Sequence, residues 1–177
     1  TNTQYFYPSR FSFEDKSQLV INLPAWSESV PQPVLVDLAP AADSYLESWT
    51  PTVNYGGQAL LKVKNDGVNK SLLSFDLAFL NGTNVNRAFL KLYLLQNSGN
   101  ASVTVGTASL SKSWLEKQVN WQQAKGGLLW ASPGAAGADD YQNSSLNLFN
   151  QQRIQATSQW YYFEVTDQIK CYLANPA

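Results

Sequence analysis

Short runs in which apolar and polar residues alternate, each closed by a turn signal, fill most of the chain. Leu60-Leu61-Lys62-Val63-Lys64 leads into Asn65-Asp66-Gly67, and a second alternating run follows at 71–75. This arrangement predicts a hairpin. Further strands are predicted at 88–95, 102–108 and 161–165, where alternation or continuous apolarity suits a two-layer sandwich. At 166–173 the period changes: Val165, Ile169, Tyr172 and Leu173 fall on one helical face and Thr166 stands where a cap belongs. The expected fold is therefore all-β, a jelly-roll-like antiparallel β-sandwich with one short C-terminal helix.

Two stretches depart from this rhythm. Residues 126–150, rich in Gly, Ala, Asn and Ser, read as a long connection with one short element around 146–149. At the other end, Tyr5-Phe6-Tyr7 and Gln18-Leu19-Val20-Ile21-Asn22-Leu23 are strand-like but are followed by Pro24, Pro31, Pro33 and Pro40. Residues 1–40 are expected to form a strand-bearing N-terminal arm and a Pro-rich linker, ahead of a sandwich domain at 41–177.

Composition narrows the function classes. Twelve Lys and Arg against 13 Asp and Glu give a net charge of −1, which supplies no electrostatic footprint for nucleic acid or an anionic membrane. Charged residues are only 14% of the chain, against roughly 25% in ordinary soluble domains. The polar surface must come from Asn, Gln, Ser, Thr and Tyr, a habit of exported proteins. With no Met and a start at Thr1, the sequence reads as a mature secreted chain whose signal peptide has been removed. No apolar run reaches the roughly 18 residues of a membrane span.

The chain has no His, which removes imidazole-based nucleophilic machinery and the usual imidazole zinc or copper sites. A carboxylate pair is the remaining route to hydrolysis. Glu47, Asp76, Glu116 and Glu164 have no mutual spacing that suggests one, so no catalytic residue, cofactor or metal is expected. Asp139-Asp140 could contribute oxygen ligands to calcium, but two adjacent carboxylates read more simply as solvated. Sequons stand at Asn69, Asn81, Asn100 and Asn143 as possible N-glycosylation sites.

From Asp43 onward the chain resembles the DNRLRE-type β-sandwich modules, secreted and cell-surface modules that include polysaccharide-binding members. The resemblance is carried in order by Asp43-Ser44-Tyr45-Leu46, Asn54-Tyr55-Gly56-Gly57, Leu72-Leu73-Ser74-Phe75-Asp76-Leu77 and Asn84-Val85-Asn86-Arg87-Ala88-Phe89-Leu90. It continues through Trp114-Leu115-Glu116, Val119-Asn120-Trp121 and Phe163-Glu164-Val165-Thr166-Asp167. Asn120 and Glu164 replace the Thr and Asp usual in that pattern. The resemblance implies a sandwich in which Trp114 and Trp121 pack in the core, and Trp130 and Trp160 are read the same way. Trp26 and Trp49 lie outside the strands and are the better candidates for a sugar or subunit contact.

Such modules continue past the equivalent of Asn175-Pro176 into closing strands, and a similar segment stands instead at 11–21. A sandwich lacking a strand exposes apolar surface and unpaired backbone, so something must fill the gap. Phe11, Phe13, Leu19, Val20, Ile21 and Leu23 are the expected filling strand, with Leu19, Ile21 and Leu23 pointing one way. The favoured reading is a secreted structural subunit whose arm enters the sandwich of the next copy, building an extracellular homopolymer by strand donation. The alternative is a monomeric carbohydrate-binding module whose arm completes its own sandwich and whose partner is a polysaccharide. The 17 residues of 24–40, at about 3.1 Å each when extended, allow either geometry.

Overall fold

The computed structural model describes residues 3–6, 18–24, 33–64, 67–99, 101–141 and 151–174. The strands in chain order are β1 (Thr3–Phe6), β2 (Gln18–Pro24), β3 (Pro33–Leu38), β4 (Ala42–Glu47), β5 (Leu61–Lys64), β6 (Asn69–Ser74) and β7 (Arg87–Asn97). They are followed by β8 (Val103–Val105), β9 (Gln123–Lys125), β10 (Leu128–Leu129), β11 (Gln152–Ile154) and β12 (Gln159–Glu164), and the chain turns into helix α1 (Thr166–Ala174). All strand pairings are antiparallel, and the expected all-β architecture with a single C-terminal helix is found.

The eleven-residue β7 is the spine of the main sheet. β12 runs along residues 89–94 on one edge. The other edge is shared end to end by β2, opposite 87–91, and β1, opposite 94–97. Beyond β2 lies β3, and beyond β1 lie β5, β6 and β4. The arm is thus part of the chain's own sheet: Leu19 and Ile21 are 1% and 0% exposed. Residues 33–38, expected as linker, form edge strand β3 paired along six positions with β2. Proline is tolerated there because Pro33 opens an edge strand, where a missing N–H breaks no inner ladder.

Three groups of apolar side chains cover the inner face of the sheet. Leu61, Leu92, Leu94, Tyr161 and Phe163 pack against Val103, Val105 and Ile154 of the β8–β11 pair. Leu19, Ile21 and Ala88 pack against Leu77, Leu80, Val85 and the helix residue Ile169. Leu46 and Leu72 pack against Val119, Ala124, Trp130 and Ala135 of the loop-rich β9–β10 lobe. Tyr172 and Leu173 join the second group as the helical period predicts. Thr166, expected as a cap, instead accepts the Ala88 N–H at 3.0 Å and donates to Glu164 Oε1 at 3.2 Å, fastening the helix start to β7.

Candidate functional site

The outer face of β4 and β5, together with the loop at 48–58, gathers aromatic and polar groups. Tyr45 and Glu47 alternate with Leu46 along β4, so they project away from the core that holds Leu46. Tyr55 stacks on Tyr45 with ring centroids 4.2 Å apart, and the Lys62 ammonium lies over the Tyr45 ring at 4.9 Å. Beside them Trp49 is 65% exposed, with Lys64 Nζ 3.6 Å from its ring centroid. The Lys64 side chain is otherwise buried. Its ammonium occupies one face of the indole and holds the ring in place, and the remaining indole surface is open to solvent.

The loop owes its shape to Asn54-Tyr55-Gly56. The Asn54 amide donates to both the Glu116 carbonyl at 2.7 Å and the Val119 carbonyl at 2.6 Å, and Lys117 Nζ donates to the Gly56 carbonyl at 2.7 Å. A Cβ on Gly56 would stand 1.9 Å from the Glu116 carbonyl oxygen, so only glycine lets the loop seat this closely. Glu47 ties the loop to the sheet, accepting from Thr50 and Tyr55, both at 2.6 Å, and from Asn69 at 3.2 Å. Burial works to raise the Glu47 carboxyl, but these hydrogen bonds and the charge of Lys62 outweigh it and hold it below the ordinary value. Burial and the neighbouring Glu47 raise the Tyr55 phenol, so Glu47 is the anion and Tyr55 the donor.

A second aromatic group lies on the outer face of β7 and β12. Trp160 faces Tyr93 across the ladder, edge to face with centroids 5.2 Å apart, and Lys91 Nζ is 4.2 Å from the Trp160 ring. Tyr162 is exposed one step further along. Next to this group a shallow open depression is lined by Leu95, Gln96, Asn97, Ser98 and Thr157.

The sequence model of carbohydrate-binding module family 96 matches residues 34–176. The chain belongs to that family. The match supports the carbohydrate-binding β-sandwich part of the resemblance noted in the sequence, and it names this family rather than the DNRLRE type. No curated relative and no solved structure matches. In a family 96 module, exposed aromatic rings framed by amides, hydroxyls and ammonium groups are the chemistry a sugar requires: stacking surface for the ring's C–H face and donors and acceptors for its hydroxyls.

The other candidates divide. Phe11, Phe13, Trp26, Asn100 and Asn143 lie outside the described residues. Leu19, Val20, Ile21 and Leu23 are in β2, between β3 and β7 of their own chain. Asn81 is exposed beside Gly82, but Asn69 is 3% exposed and its amide donates to Glu47, so in the folded protein it has no room for a glycan. Trp130 is buried, with its indole N–H donated to the Asn120 carbonyl, and Trp114 and Trp121 pack against the same lobe.

The carboxylates considered for catalysis serve separate local roles. Glu47 anchors its loop, Asp76 accepts the Ala78 N–H, Glu116 accepts the Asp43 N–H, and Glu164 meets Arg87. Asp140 is not solvated as expected: it is fully buried, accepts three backbone N–H groups and pairs with Lys112. Only Asp139 of the pair is exposed. Trp160, expected in the core, faces outward because Tyr161 and Phe163 take the inner positions of β12. The near-continuous aromatic run Trp160-Tyr161-Tyr162-Phe163 conceals that alternation, and only the register with β7 reveals it.

Proposed function

We propose that this chain is a non-catalytic module of an extracellular protein that binds polysaccharide, with Trp49 as the ring on which a sugar stacks. The observation that carries the reading is the held, open indole of Trp49. A large aromatic 65% exposed and fixed by an ammonium at 3.6 Å is prepaid in conformational terms as a contact surface. On the same face of the sheet, Glu47 holds Thr50 and Tyr55 and the Lys62 ammonium lies over Tyr45, so the surroundings of the ring are polar and fixed. The family match supports the ligand class.

Affinity electrophoresis through gels containing soluble xylan, mixed-linkage β-glucan, galactomannan or polygalacturonate tests this reading. At least one polymer is expected to retard the protein, and Trp49→Ala should weaken that interaction about 10- to 100-fold, the effect of removing a central aromatic anchor. Unchanged migration of the wild type in all four gels, or full retention by Trp49→Ala, would refute it.

The self-contained pairing of β2 also supports a monomeric module. Size-exclusion chromatography should give one species near the 19.6 kDa chain mass at all concentrations. A ladder of polymers that lengthens with protein concentration would instead restore strand donation between copies.

A further inference from the structure

The two aromatic groups lie on one side of one continuous hydrogen-bonded sheet, and a β-bulge makes this so. Phe6 of β1 pairs with Leu94 of β7, yet the preceding Tyr5 pairs with Gln96, leaving Leu95 as an extra residue on β7. An extra residue reverses the alternation beyond it. Tyr93, on the outer face before the bulge, and Gln96, exposed after it, therefore share a side although they are three residues apart. On the far edge of β1, the Tyr5 position pairs with Lys62, whose ammonium lies over Tyr45. Lys64, two residues on, carries Trp49. The shallow depression lined by Leu95, Gln96, Asn97, Ser98 and Thr157 lies along this path.

We infer that the path from Trp49 to Trp160 is a single extended binding surface that takes an internal stretch of one soluble polysaccharide chain, neither a chain end nor a crystalline face. The inference rests on the carbohydrate-binding reading given above. Three strand spacings across the sheet and about four residues along it separate the two tryptophans by roughly 20 Å, a distance that only an oligomer of several sugar units bridges. Both ends of the path are exposed, Trp49 at 65% and Tyr162 at 47%, as a chain that runs on past either end requires. Twist of roughly 20–25° per strand accumulates to about 60–75° between β5 and β12, the strands beside which the two rings lie. A flat crystalline surface fits so twisted a face poorly, whereas a single chain can turn with the sheet.

The test uses the full chain, size-fractionated oligomers of whichever soluble polymer retards it, and particulate cellulose and chitin. Affinity is expected to rise with oligomer length and to level off once the oligomer spans both tryptophans, at least 10-fold above the disaccharide, with no adsorption to the particles. Trp160→Ala and the surface change Tyr162→Ala should each weaken polymer binding several-fold and flatten the rise of affinity with oligomer length. Thermal melts confirm that each variant is folded, and Tyr162→Ala serves if Trp160→Ala is not. A disaccharide binding as tightly as the polymer, adsorption to the particles, or polymer binding unaffected by the β12 variants would overturn the inference while leaving the Trp49 site standing. If none of the four polymers binds, both fall.

Discussion

Removal of residues 1–24 is expected to abolish cooperative folding of the module. β2 is paired on both edges, along six positions with β3 and five with β7, and its Leu19 and Ile21 are wholly inside. Truncating either side chain to alanine should cost about 2–5 kcal/mol, while a whole domain of this size is stable by only about 5–15 kcal/mol. Deletion of the entire strand removes both side chains. It also leaves the β7 backbone unpaired at 87–91 and uncovers Leu77, Leu80, Val85, Ala88 and Ile169. A fragment cut where the family match begins, at residue 34, suffers the same loss, because that point falls within β3.

The expected result is a fragment 34–177 with no sharp thermal transition and strong binding of a hydrophobic dye. A synthetic peptide spanning residues 1–25, which carries both β1 and β2, should restore a transition when added in trans, since the two strands fill the edge of β7 and rejoin it to β5. A fragment that melts cooperatively without the peptide would show β2 to be dispensable.

Much of the architecture can be read from the sequence because local pattern and tertiary environment agree there. Asn65-Asp66-Gly67 between two alternating runs leads to the β5–β6 hairpin, and Val165, Ile169, Tyr172 and Leu173 describe the buried side of α1. β3 is not legible, because proline reads as linker and its acceptability depends on an edge position that only the partner strand defines. Trp49 stands out as a non-strand aromatic. The second aromatic group does not: whether Trp160 or Tyr161 faces water depends on the register of β12 with β7, a long-range fact. The continuity of the surface is hidden further still, since it turns on one extra residue, Leu95, opposite a strand more than eighty positions away. Asp140 is misread for a related reason. Its partners are backbone N–H groups, which no sequence displays.

Asp140 carries the second large expected effect. Its carboxylate lies at 0% exposure and receives the Ala131 N–H at 2.7 Å, the Ser132 N–H at 3.1 Å and the Gly137 N–H at 2.9 Å. Lys112 Nζ completes the set at 2.8 Å. Burial works to raise the carboxyl, but Lys112 and the three N–H groups outweigh it and bring its pKa from 3.8 down to about 2. Asp140→Ala removes the shared acceptor of four donors in the lobe that also buries Trp130 and Ala135.

Removing one partner from a buried, hydrogen-bonded ion pair costs about 3–5 kcal/mol. With about 2–4 °C lost per kcal/mol in a domain of this length, the melting temperature should drop by roughly 10 °C. Adding Lys112→Met should recover part of this loss, because the stranded ammonium is then absent.

The pH dependence has a definite sign. A carboxyl whose pKa is lower in the folded state contributes its stability above the unfolded pKa and loses it as pH falls through the folded one. A shift from 3.8 to about 2 corresponds to about 2 kcal/mol, present at neutral pH and lost progressively from about pH 5 to pH 2. Urea denaturation across that range should show the wild type losing stability more steeply than Asp140→Asn, which has no such proton to take up. Equal slopes for the two proteins would remove Asp140 as the source of the acid sensitivity. Polymer retention by Asp140→Asn at pH 7 should stay at the wild-type level, since the carboxylate lies on the core side of β4 and β6 and Trp49 on the other.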